Sequence, residues 1–247
     1  AHRWQWNNGW YSGVVHGDFL KLRQVNNGIE VRSSIQDTRV LSTMLSDYFR
    51  LGDDLVEIYK RIEKDSRMSE MIKRYSGMRI LRQEPWECLS AFICSATSNL
   101  TRIAANMESI ADAMGRRITL DGVSRCTFPS ASLVADGGES LLRELGLGFR
   151  AKYLAHAASE IARGNLELGE LRRMSYRDAR ARLVDLPGIG PKIADCVLVF
   201  SLDKLEAFPI DRWVSRAVGE WYLDGANLKY DEIVRWAHEY FGDYAGY

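Results

Sequence analysis

Hydrophobic and polar positions alternate over the first 34 residues and then change to a helical period. Around the turn signals Asn7-Asn8-Gly9 and Asn26-Asn27-Gly28, three segments alternate: Trp10-Tyr11-Ser12-Gly13-Val14-Val15, Phe19-Leu20-Lys21-Leu22-Arg23 and Ile29-Glu30-Val31-Arg32. That pattern predicts strands joined by tight turns. Gly13 and Gly17 blur the strand limits. From about residue 39 the apolar spacing becomes helical. Leu51-Gly52-Asp53-Asp54 reads as a break, with Asp53 or Asp54 capping a helix over 55–64. Pro85 suits the first turn of a helix running to about Ala96, apolar on most sides and therefore buried. Further helices are expected near 99–114, 139–145, 151–163, 175–184, 191–202, 212–222 and 230–241. No repeat and no long linker interrupts the chain. The expected fold class is α+β: a small N-terminal antiparallel sheet domain with a helical extension over 1–75, then helical domains over 76–247.

Composition changes the picture only by exclusion. The 247 residues are 46% hydrophobic and include 7 Trp, 11 Tyr and 8 Phe, so the chain builds real cores and is not disordered. Lys plus Arg and Asp plus Glu both count 33, so bulk charge gives no argument for nucleic acid. The basic run Lys60, Arg61, Lys64, Arg67, Lys73, Arg74, Arg79, Arg82 is interleaved with Glu57, Glu63, Asp65 and Glu70, and reads as a solvated helix face without a function. Cys88, Cys94, Cys126 and Cys196 form no close pairs, which fits reduced thiols in an intracellular protein and excludes a zinc or disulfide framework. No apolar run approaches the ~20 residues that cross a bilayer. The opening Ala1-His2-Arg3-Trp4 is no signal peptide, and without Met it fits a fragment or a processed chain.

The chemistry concentrates in residues 175–202. Ser175 caps a helix to about Val184; Leu186-Pro187-Gly188-Ile189-Gly190 follows, and Pro191 opens a second helix. Gly188 and Gly190 allow a tight hairpin that another molecule can approach closely, with Ile189 plugged into the core. The amides of the hairpin and of the second helix's first turn lack intrahelical partners and lie at the positive end of its dipole, an arrangement suited to a phosphate. Lys192 sits in that first turn, where a cation is disfavoured, and apolar surroundings from Ile193 and Val197 would act in the same direction. An amine so placed is a candidate Schiff-base nucleophile. The alternative is an exposed, phosphate-binding lysine. Nineteen residues on, Asp211 precedes the amphipathic helix Trp213-Val214-Ser215-Arg216-Ala217-Val218. It is expected to cap that helix and, as an ionised carboxylate, to orient an amine and stabilise positive charge developing on a sugar. Cys196 lies one turn after Lys192 on the same helix face, where it either packs in the core or lines a pocket.

The hairpin with its lysine and following aspartate resembles the helix-hairpin-helix DNA glycosylases that end in a Gly/Pro-rich loop and Asp. The resemblance extends to Arg79-Ile80-Leu81-Arg82-Gln83-Glu84-Pro85-Trp86-Glu87-Cys88-Leu89, Ser90-Ala91-Phe92-Ile93-Cys94-Ser95, Leu145-Gly146-Leu147-Gly148-Phe149-Arg150-Ala151-Lys152-Tyr153 and Tyr244-Ala245-Gly246-Tyr247. These look like the 8-oxoguanine DNA glycosylase/AP lyase branch. Arg3-Trp4 and the strands after it resemble that branch's N-terminal sheet domain, which is similar to the TATA-binding-protein sheet.

The resemblance implies the following. An oxidised guanine paired with cytosine is extruded from duplex DNA into a pocket. Lys192 attacks the sugar, releases the base and forms a Schiff base, and β-elimination cuts the strand with help from Asp211. Cys196 and Pro209 line the base pocket. Phe149 wedges into the duplex; Arg150 and Arg102 read the orphaned cytosine, with Thr97 and Asn99 nearby; Gly188, Gly190 and Trp213 contact DNA phosphates. No metal or organic cofactor is implied, and no membrane. The protein is expected to act as a monomer associated with DNA, in the cytoplasm and nucleoid or in a nucleus. Departures from the family pattern are Thr97-Ser98-Asn99 where three Asn are frequent, and Trp213 where a phosphate-contacting His is frequent. By the same comparison the chain begins just after a glycine that senses N7 of 8-oxoguanine, and stops before a helix supplying Gln and Phe to the pocket. Two other readings remain open from the residues: a non-catalytic helix-hairpin-helix DNA-binding module, and a glycosylase for another damaged base, of which a monofunctional alkylated-base enzyme is the kind Lys192 argues against.

Overall fold

The computed structural model describes residues 3–26, 28–226 and 228–247. Ala1 and His2, and Asn27 of the second expected turn, lie outside them. The chain opens with β1 (Gln5–Asn7), β2 (Trp10–Val15), β3 (Asp18–Val25) and β4 (Gly28–Ser33), paired antiparallel in sequence order. The turn between β1 and β2 is Asn8-Gly9, with φ of +48° and +81°; His16-Gly17 repeats it between β2 and β3 with +50° and +84°. Both are left-handed pairs that match the twist of the strands they join. Gly13 lies inside β2 because a Cβ there would come 2.6 Å from the Trp4 ring.

Helices follow: α1 (Thr38–Tyr48), α2 (Leu55–Ile62), α3 (Ser66–Arg74), α4 (Pro85–Cys94) and α5 (Leu100–Met114). Asp54 caps α2 by accepting from the Glu57 N–H at 3.0 Å, and Pro85 opens α4. A second antiparallel pair, β5 (Arg117–Leu120) and β6 (Val123–Cys126), turns at Asp121-Gly122, with φ of +51° and +73°. Sequence periodicity does not reveal it, since strands of four residues carry too few positions to alternate visibly. The chain continues through α6 (Ala131–Glu144), α7 (Arg150–Ala162), α8 (Leu168–Arg173), α9 (Tyr176–Val184), α10 (Pro191–Ser201), α11 (Arg212–Tyr222) and α12 (Tyr230–Phe241), closing on a short 3-10 turn at Gly242–Tyr244. Helix α6 starts well before the expected 139: Gly137-Gly138 masks its first half, and Gly138, at φ +68°, kinks it. Neither α3 nor α8 stands out in the sequence as a separate helix.

The chain forms two compact units. Unit 1 comprises residues 1–48, 83–168 and 186–188. Phe19, Leu20, Leu89, Ile93, Met107, Ile110, Leu142, Leu147 and Leu154 are its fully buried large side chains. Arg3 is buried against them, donating to Glu108 at 2.9 Å and to the Cys126 carbonyl at 2.5 Å, with Glu87 at 3.6 Å. That cluster fastens the N-terminal segment to α4, α5 and β6. Unit 2 comprises residues 49–82, 169–185 and 189–247. Its cores are Ile58, Ile62, Ala237, Phe241 and Ala245, and Ile210, Val218, Ile233 and Val234. In it Asp203 accepts from Arg50, from Arg82 at 2.7 Å, and pairs with Arg172 at 3.2 Å. Burial works to raise this carboxyl, but the Arg82 hydrogen bond and the charges of Arg50, Arg82 and Arg172 hold it below its usual range. Arg79 donates to the Arg50 and Asp53 carbonyls. The last two cations of the basic run are therefore internal ties. Lys60, Arg61, Lys64, Arg67, Lys73 and Arg74 are solvated as expected.

Burial pushes Glu87 up to about 7, against the pull of Arg3, with Glu84 and Glu108 adding to the rise. A carboxyl raised by folding binds its proton more tightly in the native state, so its stabilisation is complete below the ordinary glutamate value of ~4.3 and is lost as pH climbs to about 7. Glu87→Gln is expected to remove about 2.5 kcal/mol of the stability decline between pH 5 and 8, read by thermal unfolding across that range. An unchanged slope would mean Glu87 is ionised in the folded protein throughout.

Candidate active site

The hairpin is built by two helix ends. Ser175 caps α9, its Oγ accepting from the Asp178 N–H at 3.1 Å. After α9, Leu186 and Ile189 are buried, while Pro187 and Gly188 are exposed. Gly188 adopts φ +83°, which a side chain would strain. Gly190 is the N-cap of α10 and Pro191 its first residue. A glycine cap offers no side-chain acceptor, so the first-turn N–H groups of Lys192 and Ile193 are left for an external anion.

Helix α10 is buried continuously from Ala194 to Val199, yet Lys192 is exposed. The apolar surroundings expected of Lys192 are therefore not there: the second helical position points away from the face that Ile193 and Val197 present to the core. Cys196, one turn on, is 4% exposed. Burial pushes its thiol up to about 12; the Lys192 ammonium pulls it down, while Asp195 and Asp211 add to the rise. The amine of Lys192 and the carboxylate of Asp211 thus act on one buried sulfur, and that sulfur is a neutral thiol rather than a thiolate nucleophile.

Asp211 caps α11 through Oδ1, which accepts from the N–H groups of Trp213 and Val214, both at 2.8 Å. Among the described residues Oδ2 takes no hydrogen bond, leaving it for a reacting group. Ile210, buried in the α11–α12 core, fixes the segment before it, and Pro209 is half-buried there. Trp213 is 60% exposed, with the Arg212 guanidinium 4.9 Å from its ring centre.

The residues expected to read the opposite strand lie in unit 1. Thr97, at φ +49°, ends the turn after α4; Asn99 caps α5, accepting from the Arg102 N–H at 2.9 Å; and Arg102 is exposed. Phe149, the N-cap of α7, is 47% exposed. Arg150 is buried at 3% and donates to the Ala96 carbonyl and, at 2.7 Å, to the Thr97 carbonyl. In this structure its guanidinium ties the Thr97 turn to α7 rather than projecting outward.

Sequence reasoning passed over Asp195. It is fully buried on α10, three residues after Lys192, and accepts from the Tyr176 hydroxyl at 2.8 Å and the Tyr230 hydroxyl at 2.7 Å, with Arg180 at 3.2 Å. Burial raises its carboxyl despite those partners. The signal was a lone carboxylate in the apolar run Ile193-Ala194-Asp195-Cys196-Val197.

A four-stranded antiparallel sheet, a remainder that is helical but for one short strand pair, an uncapped hairpin helix with an amine in its first turn, and a capping carboxylate nineteen residues later define a helix-hairpin-helix DNA glycosylase. Residues 1–89 match the family described as 8-oxoguanine DNA glycosylase, N-terminal domain. Over 96% of its length the chain is 31% identical to an N-glycosylase/DNA lyase of Arabidopsis thaliana, covering 69% of that protein. Over 79% it is 36% identical to an N-glycosylase/DNA lyase of Saccharomyces cerevisiae, covering 55% of that one. The apo structure of the Clostridium acetobutylicum 8-oxoguanine glycosylase/lyase superposes with a TM-score of 0.93 at 30% identity, covering the whole of this chain and 86% of that one. The same enzyme has been solved with duplex DNA containing cytosine opposite 8-oxoguanine. This chain belongs to the 8-oxoguanine DNA N-glycosylase/DNA lyase family.

Asp195→Ala leaves two tyrosine hydroxyls without their acceptor and the Arg180 guanidinium without this counter-charge in a closed core, and is expected to cost about 3–5 kcal/mol. Asp195→Asn, which keeps one acceptor oxygen, should cost clearly less. Chemical denaturation of the two variants checks the order, and equal stabilities would show that the carboxylate is not the anchor of α10.

Proposed function

We propose that the protein excises 8-oxoguanine paired with cytosine from duplex DNA and then cuts the strand, with Lys192 as nucleophile and Asp211 as its assisting carboxylate. The observation that supports this reading is a hairpin helix whose first-turn N–H groups have no side-chain cap and whose second residue is Lys192, with Asp211 capping α11 through one carboxylate oxygen. The hairpin amides hold a backbone phosphate, which sets the extruded nucleotide against α10. Lys192 gives up its ammonium proton, its lone pair attacks C1′ and the C1′–N9 bond breaks, the bond electrons leaving with the base, which takes up a proton. The Asp211 carboxylate stabilises the positive charge that develops on the sugar. Ring opening gives the protonated imine; loss of a C2′ proton then expels the 3′ phosphate by β-elimination. Cys196 and Pro209 line the base pocket. Phe149 enters the duplex, and Arg102 and Arg150, with Thr97 and Asn99, contact the widowed cytosine. For Arg150 this requires leaving the Ala96 and Thr97 carbonyls. Trp213, Gly188 and Gly190 contact phosphates. The enzyme works as a monomer on the cell's DNA, in the cytoplasm and nucleoid or in a nucleus.

Borohydride reduction in the presence of an 8-oxoguanine:cytosine duplex is expected to trap a covalent adduct with the wild type and none with Lys192→Gln, while DNA affinity stays within about threefold. Asp211→Asn should slow base release about 10²-fold or more with little change in binding. Tight binding without base release or adduct would instead support a non-catalytic DNA-binding module.

A further inference from the structure

We propose that Tyr153 is a positioning residue that couples the duplex-opening segment Phe149–Arg150 to the phosphate hairpin. The proposal rests on the glycosylase reading and names a device within its DNA-binding surface. Tyr153 lies one helical turn after Phe149 on α7, so the two share a face. Their rings meet edge to face, with centres 6.4 Å apart and planes at 81°. The Tyr153 ring also rests on the backbone of Gly188. A Cβ at that glycine would lie 2.3 Å from Cγ, 2.5 Å from Cδ1 and 2.7 Å from Cδ2, so the ring occupies the space of any side chain there. Glycine at 188 therefore answers two demands: the left-handed φ of +83° and the ring laid against it. Leu186–Gly188 and α7 belong to the same compact unit.

The contact is made by the ring and not by its polar end. Among the described residues the Tyr153 hydroxyl donates to nothing, and the Lys152 ammonium stands 4.7 Å from the ring centre. A rigid flat ring thus seats the exposed turn Pro187-Gly188 on one part of its surface and braces the Phe149 ring with another. Packed contacts of this kind transmit displacement, because neither neighbour can move into the other's volume. The hairpin turn Pro187-Gly188 and the aromatic that enters the duplex are then set in register by one side chain.

The test is a double-mutant cycle in affinity for a duplex carrying a tetrahydrofuran abasic analogue, opposite cytosine and opposite adenine. Tyr153→Phe is expected to match the wild type within about twofold, since the ring alone is used. Tyr153→Ala should weaken binding about tenfold opposite cytosine and narrow the cytosine-over-adenine preference. Gly188→Ala should be severely impaired alone and about fivefold or more less impaired when combined with Tyr153→Ala, where the added methyl meets no ring. Tyr153→Leu, a milder cavity, is carried alongside, and thermal unfolding confirms the folded state of each variant. Additive single effects, a loss equal opposite both bases, or a Tyr153→Phe defect as large as that of Tyr153→Ala would each overturn the coupling. Failure of the wild type to form a trapped adduct would overturn the glycosylase reading instead, and leaves the affinity cycle readable.

Discussion

A helix buried from Ala194 to Val199 can offer the outside world only its first turn, and α10 is held so that this turn carries both an uncapped set of amides and an amine. The constraint that makes this possible is the carboxylate of Asp195. Its two tyrosines and arginine come from α9, with Tyr176 and Arg180, and from α12, with Tyr230. Apolar contacts alone fix how deep a helix sits but tolerate rotation and sliding, since one methyl group replaces another at small cost. Two tyrosine hydrogen bonds and one ion pair on a single carboxylate do not. Removing a charge from water costs several kcal/mol, and that cost is offset only when the geometry is met by every partner. The orientation of the α10 start is thereby tied to the packing of two other helices.

The same logic recurs at Asp203, which gathers Arg50, Arg82 and Arg172 from three separate stretches of unit 2. Its balance differs in sign from that of Asp195. Three cations overcome burial at Asp203, whereas at Asp195 burial wins over two hydroxyls and one guanidinium. Asp203 follows the end of α10 as Asp195 follows its start, so this helix is pinned electrostatically near both ends. Between them the Cys196 thiol stays protonated, so it does not compete with Lys192 for the proposed nucleophilic role.

What the sequence discloses is what is local. Asp54, Ser175, Asn99 and Asp211 are caps because each sits one residue before an apolar helical period, and Pro85 and Pro191 open helices because their missing N–H is no loss there. The hairpin and its candidate chemistry are legible for the same reason, being contiguous. The β5–β6 pair escapes because its strands are short and carry Arg117 and Arg125. Arg79 and Arg82 look like surface cations because their partners, the Arg50 carbonyl and Asp203, are distant in sequence. The contact of Tyr153 with Gly188 is out of reach on the same ground: nothing at either position announces the other.

The two halves of the proposed chemistry also differ in how far they are preformed. Asp211 is fixed before any DNA arrives, because the N–H groups of Trp213 and Val214 hold its Oδ1. Arg150 is committed elsewhere, buried on two backbone carbonyls. A cytosine that recruits it must replace those acceptors with its own, atom for atom. The free energy available for reading cytosine is then only the difference between two sets of charge-assisted hydrogen bonds, far smaller than either set alone. On the proposed reading, opposite-base preference is a shallow, tunable quantity, sensitive to how tightly the Thr97 turn holds its carbonyl at a left-handed φ of +49°. The chemistry at Lys192 is not, since none of its parts has to be released before it acts.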